Sequence, residues 1–524
     1  MIKTLEDHRA LIRGLCHPSA YSHAIQQPVL VIETHISTVI LTGNIAYKIK
    51  KPVNFGFLDF STLESRRYFC HEEIRLNRRQ APEIYDTVVG LQGSIDAPQV
   101  VSLSGDEGLM LEYAVKMRQF DQQARLDNLL EQGGLTQTMC DQMARSVARL
   151  HAMADRSDAQ QVFGTAEEVI TPMRDNFAPL ESILTDPTQG ERLEALKNWT
   201  ESSFHKFGPL IEQRHALGFV RECHGDLHLA NMVYFSDHVV LFDAIEFNNQ
   251  FRWIDVMSDV AFLVMDLDLH DATQMRWRFL NQYLAITGDY DGVVLLNLYT
   301  TYRALVRAKI HALTAAQLEQ GEECSQHHSS LRHYIQLAER YTQPVHPGLI
   351  LMHGFSGSGK TTLARLLSEN SGMVLIRSDV ERKRIALHGE DLYSEAMNRR
   401  TYDRLYTLAE SLLKSGFDVI VDAVFLKAQQ RAHFTALAHH GNCDGLIVHV
   451  DAPIDVLRAR LDQRTSENSD ASDADRQVLE LQLAQTEPLA DEGFAVYRAD
   501  STRPWSIPDI IAALRAASPE PGCA

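Results

Sequence analysis

Cysteine is scarce and scattered. The seven cysteines (16, 70, 140, 223, 324, 443 and 523) are odd in number and form no C-x-x-C pair, which argues against a disulfide framework and a zinc site and fits a reducing compartment. Long apolar runs are missing as well. Met1 to Asp7 lack the hydrophobic core of a signal peptide, and the longest apolar stretch, Val256 to Leu267, is broken by Asp259 and Asp266. A membrane span is therefore not expected, and a cytoplasmic chain is. Positive charge is in deficit. Lys+Arg of 50 against Asp+Glu of 69 gives a net −19, a balance that repels polyanions unless a basic groove is concentrated locally. What the sequence does have is length and apolar residues: 524 residues at 45% hydrophobic content exceed one core and suffice for two or three.

The sharpest compositional seam is Tyr341-Thr342-Gln343-Pro344-Val345-His346-Pro347-Gly348, where prolines and a glycine separate a helical pattern from the apolar strand Leu349 to Met352. Before it, Val29 to Ile32, Thr38 to Leu41 and Ile45 to Ile49 read as short β-branched strands of an antiparallel sheet, with a turn at Thr42-Gly43-Asn44. Helical spacing follows from Leu135 to Met153 and from Val294 to Gln336. Beyond the seam, strands at Leu349–Met352, Val374–Ile376, Val419–Val421 and Leu446–Val450 alternate with helices, as in a parallel α/β sheet. A polar segment from Thr465 to Asp475 interrupts that pattern.

Gly354-Phe355-Ser356-Gly357-Ser358-Gly359-Lys360-Thr361-Thr362 has the G-x-x-x-x-G-K-T form between a strand and a helix. Such a loop wraps phosphates with backbone N–H groups, sets its lysine on the β/γ oxygens and offers a hydroxyl to Mg²⁺. The expected ligands are ATP and Mg²⁺, with Gly354, Ser356, Gly357, Ser358, Gly359, Lys360, Thr361 and Thr362 at the nucleotide and Thr361 at the metal. Asp379, after the second strand, is a candidate general base or substrate orienter, and Arg382, one turn on, could hold an anionic group of the substrate. Asp422 ends an apolar strand and is a candidate metal residue. Arg458, Arg460 and Arg464 follow the fourth strand, and Arg460 and Arg464 are candidates to close over ATP and neutralise developing charge.

A second constellation lies upstream. In His224-Gly225-Asp226-Leu227-His228-Leu229-Ala230-Asn231 an Asp is followed five residues later by an Asn, then by the strand Val239 to Phe242 and Asp243. That order suits one base, Asp226, and two metal ligands, Asn231 and Asp243. Such a site also needs a lysine on a strand and a carboxylate to position it. Lys48 and Lys50 share a strand face, Lys48 being preferred because Lys50 and Lys51 at the strand end are as easily solvent-facing. Glu72 or Glu73 is the expected partner. Leu109 to Ala114, with Glu112, reads as a strand leading to a hinge whose backbone could bind adenine. Glu246 is a candidate substrate or metal contact, and Asp255 and Asp259 are expected to brace the catalytic loop.

These motifs resemble known families. Leu349 to about Val496 resembles the small P-loop kinases of metabolite or nucleotide hydroxyls: gluconate kinases, chloramphenicol phosphotransferases, zeta-toxin-like kinases and polynucleotide 5′-kinases. Asp379-x-x-Arg382 is similar to the polynucleotide-kinase and zeta pattern, and Arg460, Arg464, Gln482 and Glu487-Pro488 to the gluconate-kinase lid. Residues 29 to 340 resemble the aminoglycoside phosphotransferase family, with two departures: no G-x-G-x-x-G lies between the first strands, and Ala244-Ile245-Glu246 follows the metal aspartate in place of Phe-Gly. The tandem resembles bacterial two-domain proteins labelled aminoglycoside phosphotransferase plus ATP-binding protein. The expected architecture is a bilobal α+β kinase-like domain over 1–340 (small lobe about 1–112, large lobe about 113–340), then an α/β P-loop domain over 348–524. The resemblance implies two ATP–Mg²⁺ sites transferring phosphate to small-molecule hydroxyls. The alternatives are an ATP-binding regulatory switch with one inactive domain, and a nucleic-acid 5′-end kinase drawing on the basic patch Arg377, Arg382, Lys383 and Arg384.

Overall fold

β-Branched and aromatic residues alternating at period two build a six-stranded antiparallel sheet near the N-terminus. In this computed structural model, which describes the chain except residues 1, 104–108, 158–162, 185, 319–320, 393, 468–475, 491 and 517–524, and the side chains of 464–467, a first helix α1 (Leu5–Leu15) precedes strands β1 (Leu30–Glu33), β2 (Ser37–Leu41) and β3 (Ile45–Lys50). Helix α2 (Leu63–Asn77) follows, then β4 (Tyr85–Ser94), β5 (Ala97–Ser102) and β6 (Glu112–Arg118). The strand order is β1-β2-β3-β6-β4-β5. Strands β4 and β5 were not expected from the sequence.

Alternation sorts the two faces of this sheet. Tyr47 and Ile49 of β3 pack with Leu11, Ile12 and Leu15 of α1. Lys48 and Lys50 therefore point to the other face, where Cys70 of α2 packs with Val88, Tyr113 and Val115. The rest of this unit is helical apart from short strand pairs. Helix α3 (Gln137–Met153) is followed by β7 (Val220–Glu222), the hairpin β8 (Met232–Phe235) and β9 (His238–Leu241), β10 (Trp253–Asp255) and α4 (Val256–Leu269).

The second sheet is parallel; four of its five strands are buried on both faces as crossover helices require, and the edge strand Ala495–Asp500 is largely exposed. Ahead of it come α5 (Thr273–Thr287), α6 (Leu296–Gln317) and α7 (Glu322–Thr342). Then β11 (Gly348–His353), α8 (Lys360–Ser371), β12 (Val374–Arg377), α9 (Ser378–Ile385), α10 (Glu395–Lys414), β13 (Val419–Asp422), α11 (Ala428–His440) and β14 (Asp444–Asp451) alternate, closed by α12 (Ile454–Glu467), α13 (Arg476–Gln485), β15 (Ala495–Asp500) and α14 (Ile507–Ala516). The order is β12-β13-β11-β14-β15, one strand more than the sequence pattern suggested. All six residues of β11 are buried, and Ile350 and Met352 share a core with Leu363, Leu367, Leu446, Val448 and Leu514.

By internal contacts the chain forms two compact units, Met1–Asp175 with Phe204–Asp266, and Asn176–Ser203 with Leu267–Ala524. The division differs from the proline-rich seam near 341–348. Helices α5 to α7 belong with the parallel sheet, and the reason is visible at its edge: Asn281 of α5 donates from Nδ2 to the Met373 carbonyl at 3.0 Å and accepts the Leu375 N–H at 2.8 Å. The free edge of β12 is thereby paired.

Arg66 of α2, fully buried, donates to Glu112 Oε2 at 2.8 Å, the Phe60 carbonyl at 2.7 Å and the Ile2 carbonyl at 2.9 Å. Removing it strands a buried carboxylate, so Arg66→Ala should lower the stability of the first unit by about 3–5 kcal/mol. Urea unfolding checks this; a loss of less than about 1 kcal/mol, as at a surface pair, would contradict it.

Candidate active sites

The loop between β11 and α8 takes its shape from its glycines. Gly354 has φ of 136°, and a Cβ there would stand 2.3 Å from the Val450 carbonyl oxygen. Gly359, at φ 95°, is the N-cap of α8 in the left-handed conformation. Glycine alone meets both demands at low cost. The N–H groups at the start of α8 favour an anion through their alignment. Lys360, buried, donates to the Phe355 carbonyl at 2.7 Å. Thr361 Oγ1 donates to Asp422 Oδ2 at 2.7 Å. Burial raises the Asp422 carboxyl above its ordinary value against the pull of Lys360, Thr361 and Arg377.

These groups open onto a cleft of about 600 Å³ that Ser356, Gly357, Gly359, Lys360, Thr361, Thr362 and Asp422 share with Asp379, Arg382 and Arg460. Asp379 lies in the first turn of α9. Arg382 donates to the Leu392 carbonyl at 2.8 Å and Asn398 Oδ1 at 2.7 Å. Arg460 reaches the Gly357 carbonyl at 3.3 Å and Ser501 Oγ at 2.8 Å, which holds its guanidinium beside the phosphate loop. Gln482 grips the same loop, accepting the Ser356 N–H at 2.9 Å and donating to its hydroxyl at 3.0 Å. Arg458 instead pairs with Glu480 at 2.8 Å. The Arg464 side chain and most of the Thr465 to Asp475 segment lie outside the described residues.

Asn398, Tyr402, Lys427 and Trp505 also line the cleft. Sequence reading missed them because they come from separated elements; only the i, i+4 spacing of Asn398 and Tyr402 on α10 is a local signal. Of the basic patch behind the end-kinase alternative, Arg382 lines this cleft, while Arg377 and Arg384 are engaged within the protein. Arg377 lies 3.9 Å from Asp422, Arg382 is bonded as above, and Arg384 donates to the Ala285 carbonyl at 2.7 Å.

In the first unit Lys48 sits in register between Val39 of β2 and Val115 of β6. Its ammonium donates to Asp243 and pairs with Glu73 Oε1 at 3.0 Å. Burial opposes that charge, but Asp243, Glu73 and Glu246 outweigh it and hold the lysine pKa well above the ordinary value. Burial would raise Glu73, yet Lys48 and Lys50 bring it down to about 2. Asp243 has φ of 65°, its N–H donating to the Tyr85 hydroxyl at 3.0 Å. Asn231 Nδ2 donates to Asp226 Oδ2 at 3.1 Å, and the Phe242 N–H donates to the Asn231 carbonyl at 3.0 Å. The β8–β9 hairpin thus brings Asp226, Asn231 and Asp243 to one place. Asp259, fully buried, accepts the N–H of His224 at 3.1 Å and of Gly225 at 3.0 Å, bracing the loop as expected. Asp255 is instead bound by Arg214 at 2.7 Å.

Four expectations are corrected here. Glu73, and not Glu72, meets the lysines; Glu72 pairs with Arg75 at 2.8 Å and lies 3.6 Å from Arg252. Lys50 is not solvent-facing but fully buried, on Glu73 at 2.7 Å and on Glu246. Glu246 is accordingly closed off from substrate and metal by burial and by Lys50. Glu112 is no hinge residue: it opens β6, buried against Arg66, and burial lifts its carboxyl despite that partner. The strand runs on to Arg118, so the connection out of the sheet begins at Gln119.

Residues 349–489 match the family model of an AAA domain. Over 453 residues the chain is 30% identical to Uncharacterized protein Rv2004c of Mycobacterium tuberculosis, covering 84% of this chain and 87% of that protein. Among solved structures it is similar to a choline kinase from Cryptosporidium parvum Iowa II (12% identity, 64% of this chain and 96% of that one, TM-score 0.40). It is also similar to a gluconokinase from Sinorhizobium meliloti 1021 (24% identity, 33% of this chain and 95% of that one, TM-score 0.26).

One further pair lies behind the phosphate loop. His353, ending β11, and His449 of β14 are in register, with Nδ1 atoms 2.8 Å apart. One ring must donate and the other accept, so they cannot both be protonated. Burial first, then the charges of His449, Arg431 and Lys360, lower His353 from 6.5 to about 3. The folded form then binds fewer protons than the unfolded chain between these values, so the stability present above pH 6.5 is lost as pH falls. Denaturant unfolding of the second unit between pH 7.5 and 5 should show a slope of up to about 1.4 kcal/mol per pH unit from this residue, flattened in His353→Gln. Equal slopes in both proteins would contradict it.

Proposed function

We propose that this chain, which belongs to the same family as Uncharacterized protein Rv2004c of Mycobacterium tuberculosis, is a bifunctional ATP-dependent phosphotransferase acting on hydroxyl groups of small molecules at two separate sites. The observation that carries this reading is the convergence of Lys360, the Thr361–Asp422 pair, Asp379 and Arg460 on one cleft. Phosphoryl transfer needs little covalent help from a protein; it needs positioned phosphates, an aligned hydroxyl and a stabilised developing charge.

In the second unit the loop amides and Lys360 bind the phosphates of ATP, Asp379 orients the acceptor hydroxyl and takes its proton, and Arg460 offsets charge on the transferred group. Arg382 holds an anionic part of the acceptor. In the first unit Lys48, positioned by Glu73, binds the ATP phosphates, and Asp226 serves as the base. The backbone after Arg118 replaces Leu109 to Ala114 as the adenine contact. The donor sets, hydroxyl and carboxylate at Thr361 and Asp422, amide and carboxylate at Asn231 and Asp243, are hard oxygens that fit Mg²⁺. Bound there, the ion would neutralise phosphate charge.

Untargeted metabolite phosphorylation by the wild type beside Asp226→Asn and Asp379→Asn tests the proposal. Each variant should lose its own product by at least about 100-fold while the other product persists. No Mg²⁺-dependent ATP turnover against sugars, nucleosides and aminoglycosides, or products that survive both substitutions, would sink it.

A further inference from the structure

We infer that Lys50 and Glu246 form a second, buried ion pair that positions both the ATP-binding lysine and the metal-binding aspartate of the first unit; this rests on the reading of that unit as an ATP site. Neither residue reaches solvent. Lys50 is 0% exposed and Glu246 4%, so neither can touch a nucleotide, and any role in phosphoryl transfer passes through other groups.

The geometry names those groups. Glu73 divides its carboxylate, Oε1 facing Lys48 at 3.0 Å and Oε2 facing Lys50 at 2.7 Å. Lys48 also holds Asp243, and Lys50 also holds Glu246. The charges therefore alternate in sign along Asp243, Lys48, Glu73, Lys50 and Glu246. The two ends of this series are joined by the short backbone from Asp243 to Glu246 and form a closed ring. Strand β3, helix α2 and the segment after β9 each contribute to it, so none can shift without breaking an ion pair in a region with little water to compensate.

Two features show that the segment after β9 needs such a hold. Asp243 is kept at φ 65°, a left-handed conformation that costs a residue with a Cβ some energy, though aspartate less than most. Its neighbours are pinned as well: the Ala244 N–H donates to Asn77 Oδ1 at 2.9 Å, and Arg252 donates to the Glu246 carbonyl at 3.0 Å. On the far side Lys50 lies 4.9 Å from the Phe60 ring centroid, which walls off the pair. Two apolar residues of similar volume would serve stability about as well as a buried ion pair. What they would not do is hold Glu73 at a set distance from Lys48, or tie Asp243 back to β3.

The test uses the full chain carrying Lys360→Ala, so that a fluorescent ATP analogue reports the first unit alone. In that background Lys50→Met with Glu246→Leu removes both charges at nearly constant volume, and Glu246→Gln removes one charge while keeping shape. Both should retain a cooperative melt, bind the analogue at least tenfold more weakly, and need at least tenfold more Mg²⁺ for half-maximal binding. A merely structural pair would not move the Mg²⁺ midpoint. A folded double variant with the parent's affinity and Mg²⁺ midpoint overturns the inference, as does loss of the folded state in both variants. Lys48→Ala separates the two levels: if it leaves binding intact, the ATP-site reading falls and the inference with it. If Lys48→Ala abolishes binding while the double variant does not, the inference alone falls.

Discussion

Glu73 shares one carboxylate between two lysines of the same strand, and the first unit is organised around that sharing. Buried charge is tolerated only when matched within hydrogen-bonding reach, so strand β3, helix α2 and the segment carrying Asp243 and Glu246 must meet there. The period of two along β3 places both ammonium groups on one sheet face and Tyr47 and Ile49 on the other, against α1. The same alternation that builds a core on one side thus builds a charged site on the other.

The second unit solves a different problem. A parallel sheet gathers the carboxyl ends of its strands along one edge, which is where ligands bind in such folds. Gly354, Asp379 and Asp422 all follow or end strands at that edge, and register puts Met352 beside Asp422 and Asp422 beside Arg377. The helices that cover the free edge of β12 come from a stretch outside the matched AAA-domain region, residues 349–489. Asn281 pairs that edge, and Arg384, two residues beyond Arg382 on α9, grips the end of α5 through the Ala285 carbonyl. The side of the P-loop cleft that carries Asp379 and Arg382 is therefore braced by residues that composition alone assigns to the first domain.

Much of both sites was legible in the sequence. The phosphate loop is continuous because its ligand is held by successive backbone N–H groups, so glycine positions and a lysine suffice to mark it. Asp226, Asn231 and Asp243 are legible because a tight turn and a hairpin bring them together over a short stretch of chain. The meeting of Lys48 with the Asp243 segment was also legible, since its strand is short and its alternation clear. The choice between Glu72 and Glu73 was not, because adjacent helix positions differ by about 100° in direction and only packing against the sheet selects one. The end of the strand was misplaced because an apolar pattern marks a strand but not where it ends; β6 continues through the polar Lys116 to Arg118 because it is paired on both sides.

The sequence by itself determined the phosphate loop, the Asp226, Asn231 and Asp243 set, the antiparallel and parallel sheet types and the alternation that sets Lys48 and Lys50 on one face. These are signalled by periodicity and turn residues within short stretches of chain. Tertiary structure alone decided that Lys50 is buried, that Glu246 faces it across 196 residues, that Glu112 belongs to Arg66, and that α5 closes the edge of β12. Such pairings depend on which faces meet in three dimensions. Local propensity cannot encode that, because the same charged residue in the same strand or helix would be solvated as readily as paired.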